Sequence, residues 1–293
     1  MILPEVASIF RKYRYSRVGA VADYTRECNA APRINNAKSE MVGSTSGIGM
    51  ALAIHHGEAP AAGDQQAAAA SLSKQEIALL LGRRYGLTTD LEVCTPSTGG
   101  FFHCVDGHQF NLRARLMYRR PPDFSDGGPI HFSTAAESSE ELFAELNATG
   151  EKFDLVFVDP WHTYAASLRD IVYALQLVRH DGLVLVHDCS PPSAEMAVPL
   201  FQPGDWCGVT FAAFLDVVLF NHGVHFATVD SDYGCGIISK VPRPELFGSN
   251  WNPTLAWRWK TLGLDGKYSY LDKHRTELLH LMSCDVFRRR QAA

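Results

Sequence analysis

Two stretches set the pattern of apolar and polar positions. Phe153-Asp-Leu-Val-Phe-Val-Asp159 and Leu183-Val-Leu-Val-His-Asp188 are short apolar runs, each closed by an acid. Between them Leu168, Ile171, Val172, Leu175 and Val178 recur at helical spacing, and Asp181-Gly182 reads as a turn. Apolar runs this short and continuous predict strands buried on both faces, here parallel and joined by a crossover helix. Upstream, Ser73 and Glu76 have capping-box spacing, Ile77, Leu80 and Leu81 share a helical face, and Gly86 can end that helix. Strands are predicted at 91–94, 114–118 and 130–132, with a helix over 138–146.

Downstream, Phe214, Leu215, Val218 and Leu219 mark a helix between Val209 and Phe220. His225–Val229 and Gly234–Lys240 are strand-like runs separated by Asp230-Ser-Asp-Tyr233, which predicts an antiparallel hairpin. Tyr268–Phe287 reads as one final amphipathic helix. Residues 1–72 differ. They are rich in Ala, Gly, Ser and Asn, and 57–71 is low in complexity, so the chain divides into an N-terminal extension or linker (1–72) and an α/β domain (73–293).

Composition narrows the classes. The 293 residues are 46% hydrophobic and 20% charged, as in a packed globular protein. A formal net charge of −5 argues against a nucleic-acid or anionic-membrane binder. No apolar run approaches ~20 residues, and the N-terminus lacks the apolar core of a secretory signal. Seven scattered cysteines without a CxxC pair fit reduced thiols in a cytoplasmic protein.

Candidate chemistry lies where the two runs end. Ligands of an open parallel sheet sit outside the carboxyl ends of its strands, so Asp159 and Asp188 should share one rim. Adjacent carboxylates repel unless a proton or cation lies between them, and a divalent ion such as Mg²⁺ would satisfy both. His162, on the turn leaving the first strand, reaches the same rim and suits a general base. His187 ranks lower, because neighbours along a strand point to opposite faces.

The segment FDLVFVDPWHTYAASLRDIVYALQLVRHDGLVLVHD, 153–188, resembles the second half of class I S-adenosylmethionine (SAM)-dependent methyltransferases. The similarity is greatest to a metal-dependent group that includes the cephalosporin-hydroxylase-like and macrolide-sugar O-methyltransferases. The resemblance implies a Rossmann-like, seven-stranded, mostly parallel sheet with an antiparallel C-terminal hairpin. It implies SAM as cofactor, Mg²⁺ or another divalent cation on Asp159 and Asp188, and His162 as catalytic base. It makes the chain a transferase that methylates a hydroxyl of a small molecule: a sugar, glycoside or natural product. The implied partner is that acceptor, without nucleic acid or membrane, and a homo-oligomer is left open.

The cofactor loop departs from the family pattern. Glu92, Thr95, Ser97, Gly99 and Gly100 are its candidate cofactor-binding residues, but Cys94 and Pro96 replace more permissive ones. After 114–118 stand Arg119 and Arg120 rather than an acid for the ribose, with Asp106 a candidate if the second strand is 101–105. Glu137 and Ser138 are candidates near the adenine. Trp206 and Tyr233 suit a substrate pocket, or simple core packing. Two alternatives follow. One is a catalytically degenerate methyltransferase-fold binding module, suggested by the altered loop. The other is a short-chain-dehydrogenase-like NAD(P) oxidoreductase, suggested by Gly43, Gly47 and Gly49. None of the ten tyrosines has the Lys four residues on that this second family uses.

Overall fold

The computed structural model describes residues 71–98, 109–110, 112–124, 131–247 and 252–292. The Gly43–Gly49 segment, the low-complexity stretch up to residue 70, Gly99, Gly100 and Asp106 lie outside the described residues.

Helix α1 (Lys74–Tyr85) starts as its spacing predicts. The Ser73 and Glu76 side chains cap each other's backbone N–H groups, and Gly86 ends the helix in the left-handed conformation. There follow β1 (Thr89–Cys94), β2 (Leu112–Met117), β3 (Phe132–Ser133), α2 (Glu140–Ala148), β4 (Phe153–Asp159), α3 (Tyr164–Leu177) and β5 (Val178–Val186). Next come α4 (Thr210–Val218), β6 (His225–Val229), β7 (Cys235–Ser239), α5 (Pro253–Lys260), α6 (Leu264–Leu279), β8 (Leu281–Met282) and α7 (Cys284–Ala292).

The strands form one sheet in the order β3-β2-β1-β4-β5-β7-β6-β8. Pairing is parallel from β3 to β5, and β7 runs antiparallel to both β5 and β6. This is the doubly wound α/β sheet with an antiparallel hairpin that the sequence predicts, with β8 added parallel to β6 at its edge. Alternation along the strands splits the core in two. Leu91, Val93, Val156, Val158, Val184 and Val186 face a layer containing Phe143 of α2, Ile171 of α3 and Phe214 of α4. Leu155, Phe157, Leu183, Leu185 and Ile237 face Ile77 and Leu81 of α1 and Phe287 of α7. No helix among the described residues is long and apolar enough to cross a membrane.

Three local predictions change. Val178, read as the last apolar position of the crossover helix, is extended and opens β5. Asp181-Gly182 is not a turn between separate elements but lies within β5, across an irregularity in its register with β4. A Cβ on Gly182 would lie 2.5 Å from the Asp154 carbonyl oxygen, so the close strand approach needs glycine. The Tyr268–Phe287 helix is broken. His280 adopts φ 46°, ends α6, and stacks on Phe226 with ring centroids 4.4 Å apart, and the next two residues pair with β6. The apolar spacing persists across the break because both flanking helices pack on the sheet.

Candidate active site

The carboxyl ends of β1, β4 and β5 meet with the β6–β7 turn. Asp159 is the last residue of β4, and the Thr98 hydroxyl of the loop after β1 donates to its carbonyl oxygen at 2.7 Å. Beyond β5 the chain turns sharply, with Asp188 at φ 58°. The backbone N–H groups of Cys189 and Ser190 donate to the carbonyls of Gly234 (2.9 Å) and Tyr233 (2.8 Å), tying the Asp188 loop to the hairpin turn. Asp159, His162 and Asp188 are all buried, and one ligand atom from each lies within 4.8 Å of the others. The rim expected from the sequence is therefore formed.

His162 is held at both ring nitrogens. Its Nδ1 lies 2.6 Å from the Trp206 carbonyl oxygen, which can only accept, so Nδ1 carries the hydrogen. Its Nε2 lies 3.3 Å from Asp159 Oδ1 and 3.0 Å from Asp188 Oδ2. In the neutral ring Nε2 therefore holds the lone pair, facing two carboxylates that stabilise a proton arriving there. Burial alone would lower the His162 pKa. The Asp159 hydrogen bond and the charges of Asp188 and Asp159 outweigh it, and the pKa is raised.

Gly208 sets the depth at which His162 sits. It has φ 58°, and a Cβ there would fall within 2.2 Å of the His162 carbonyl oxygen and 2.6 Å of its Cβ. Gly208→Ala is expected to displace His162 and to lower turnover more than it lowers the unfolding midpoint. Kinetics beside a thermal melt checks this.

The structure also adds residues. His187 is not turned away. The strand ends at Val186, so alternation no longer governs the ring. Its Nδ1 lies 3.2 Å from Asp188 Oδ2 and 3.6 Å from Asp159 Oδ2, and its Nε2 lies 3.2 Å from Asp232 Oδ1. These are ion-pair distances without hydrogen-bond geometry. Burial opposes the charged ring, but Asp188 and Asp159 raise its pKa well above the usual value. Lys74, at the start of α1, donates from Nζ to Asp159 Oδ2 at 2.8 Å, and its backbone N–H donates to Asp232 Oδ2 at 2.9 Å. Asp159 loses basicity in this setting: burial would raise its pKa, but Lys74 and His187 hold it well below the carboxylate range. Lys74 reads in sequence as a surface residue of a helix start, 85 positions from Asp159, and no local signal marks it. Asp232 stands beside the singled-out Tyr233, but only the hairpin turn brings it to His187.

The remaining candidates among the described residues lie outside this cluster. Glu92 is buried within β1, where Arg115 Nε donates to its Oε2 at 2.8 Å, both side chains being wholly enclosed. Thr95 is buried; its backbone N–H donates to Thr98 Oγ1 at 2.9 Å, and its hydroxyl lies 3.0 Å from that of the exposed Ser97. Glu137 is exposed and pairs with Arg119, whose guanidinium lies 4.2 Å from the Trp161 ring centroid. Ser138 accepts from the Glu140 backbone N–H at 3.2 Å. Trp206 is buried between Trp161 and Phe201, with centroids 5.2 Å from each, and its ring lies 5.1 Å from His162. Tyr233 is exposed, with its ring edge-on to His187 at 6.2 Å.

Removing one partner of a fully buried ion pair leaves an uncompensated charge and typically costs about 3–5 kcal/mol. Glu92→Leu and Arg115→Leu should each destabilise on that order, and the double variant by less than their sum. Urea denaturation of the three variants measures it.

Residues 78–189 match the family model of a methyltransferase domain. No curated protein gives a significant match. Among solved structures, the chain is similar to the O-methyltransferase TomG from Streptomyces achromogenes, involved in tomaymycin synthesis and solved with SAM. Identity there is 14%, over 58% of this chain and 81% of that one, with a TM-score of 0.42. It is similar also to an O-methyltransferase from Bacillus cereus solved with SAH, at 13% identity, 58% and 81% coverage and a TM-score of 0.37. The family match spans β1 to the end of β5 and so includes Asp159, His162 and Asp188. The methyltransferase-domain match of residues 78–189 thus falls on the parallel half of the sheet, next to the antiparallel hairpin formed by β6 and β7.

Proposed function

We propose that this methyltransferase is a metal-dependent O-methyltransferase acting on a hydroxyl of a small molecule, such as a sugar, glycoside or natural product. One observation carries the reading: two buried carboxylates at neighbouring strand ends converge with Nε2 of a buried histidine whose Nδ1 is held by the Trp206 carbonyl.

The donor set fits a divalent ion. Asp159, Asp188 and Asp232 bring three carboxylates together, against the ammonium of Lys74 and the rings of His162 and His187. Carboxylate oxygens are the donors that Mg²⁺ prefers. Asp159 and Asp188 would hold it, and a bound divalent ion would polarise the acceptor oxygen and lower its pKa. SAM supplies the methyl group as a sulfonium electrophile.

The chain's own residues do the rest. Trp206 fixes the His162 tautomer, so Nε2 takes the hydroxyl proton, and Asp159 and Asp188 stabilise the resulting imidazolium. Gly208 and the Asp188 loop fix the depth of the groups that act, so transfer depends mainly on positioning. Thr95, Ser97, Gly99 and Gly100 after β1, with Glu137 and Ser138 after β3, are the proposed cofactor contacts. Glu92 would act from beneath, through its ion pair with Arg115.

Isothermal calorimetry with SAM and with SAH tests cofactor binding. Saturable binding of both is expected. No heat and no thermal shift at millimolar ligand would favour the degenerate binding module.

A further inference from the structure

Lys74 places a fixed positive charge inside a site whose acids would bind a cation. Its Nζ is 2.8 Å from Asp159 Oδ2, and its side chain is only 18% exposed. The ammonium is retained there. Burial works against it, but the carboxylates of Asp159, Asp232 and Asp188 raise its pKa. The residue is also anchored independently of its side chain. Its backbone N–H is bound by Asp232, and two residues earlier Leu72 exchanges hydrogen bonds with Ser231, donating to Oγ at 2.8 Å and accepting from it at 2.6 Å. The start of α1 is thus pinned to the β6–β7 turn, and from there Lys74 reaches Asp159.

We infer that Lys74 is the residue that sets the affinity of this site for a divalent cation, by occupying Asp159 Oδ2 with its own charge. The inference rests on the metal-dependent reading above. An ammonium in contact with a metal-ligating carboxylate opposes an incoming cation in two ways. It repels the ion directly, and it engages one of the two oxygens that Asp159 offers. The opposition is substantial because the group is buried, where charges are weakly screened. Lys74 therefore holds the paired acids compatible with one another in the metal-free protein and keeps the metal exchangeable rather than trapped.

The test is Mn²⁺ binding to the full-length protein, followed by calorimetry and by the loss of the free-ion electron paramagnetic resonance signal. Lys74→Met keeps the length of the side chain and leaves the backbone contact with Asp232 available. It should bind Mn²⁺ at least about tenfold more tightly than the wild type. Its metal-free melting temperature should fall and the rise on adding Mn²⁺ should be larger than in the wild type. Lys74→Arg, which restores the charge, should return the affinity towards the wild-type value. Equal or weaker binding by Lys74→Met, with wild-type binding intact, would overturn the role of Lys74 and leave the metal site standing. Absence of binding in the wild type and in both variants would overturn the metal-dependent reading itself, and this inference with it.

Discussion

Asp159→Asn or Asp188→Asn is expected to abolish methyl transfer, with the fold retained. Each change removes one negative charge while keeping the shape of the side chain. The consequence differs by position. At Asp159 the substitution leaves Lys74 and the protonated His187 facing a neutral amide, so a cation entering the site meets two positive groups. At Asp188 it removes a charge shared between His162 and His187. Truncating one partner of a buried charge pair costs about 2–5 kcal/mol, which corresponds to a loss of metal affinity of about 30-fold or more. SAH formation from SAM with a panel of hydroxylated acceptors, measured beside a Mn²⁺ titration, checks both effects. Normal turnover in either variant would take the acids out of the mechanism.

His162→Ala should lower turnover by ~10²–10⁴, the usual worth of a general base, while SAM and metal binding persist. The expectation follows from the tautomer. Because the Trp206 carbonyl takes the Nδ1 hydrogen, Nε2 is the atom available to a substrate proton. The two roles open to that atom separate cleanly. A base leaves Mn²⁺ affinity unchanged when deleted, whereas a ligand takes the affinity down with it. A fall in both turnover and Mn²⁺ affinity would make His162 a metal ligand. Near-normal turnover would leave positioning alone to drive transfer.

Much of the sheet was legible because its central strands advertise themselves. In FDLVFVD and LVLVHD the positions Leu155–Val158 and Leu183–Val186 are buried on both faces, so each run is continuously apolar before the acid-bearing end, and the helix between them keeps its spacing. The hairpin was legible from the short polar gap at 230–233. Less legible were features decided by contacts distant in sequence. The break at His280 depends on stacking with Phe226, and the continuity of β5 through Gly182 depends on the Asp154 backbone.

The site divides in the same way. Asp159, Asp188 and His162 were readable because strand ends and the turn after them obey local rules. The orientation of His187 differs from that expected from strand alternation, since the alternation rule stops where β5 stops. Lys74 and Asp232 reach the site through a helix start and a hairpin turn brought together only by the packing of α1 on the sheet. Arg119 marks where an acid for the ribose was expected, and its pairing with Glu137 puts a carboxylate beside that strand end from β3 instead.

If Asp159 and Asp188 hold a divalent ion that methyl transfer requires, the reaction must depend on free metal. The most direct test is SAH formation by the full-length protein in excess chelator, followed by restoration of Mg²⁺. Product formation is expected to stop in chelator and to return with the metal. Undiminished turnover in excess chelator would contradict that requirement.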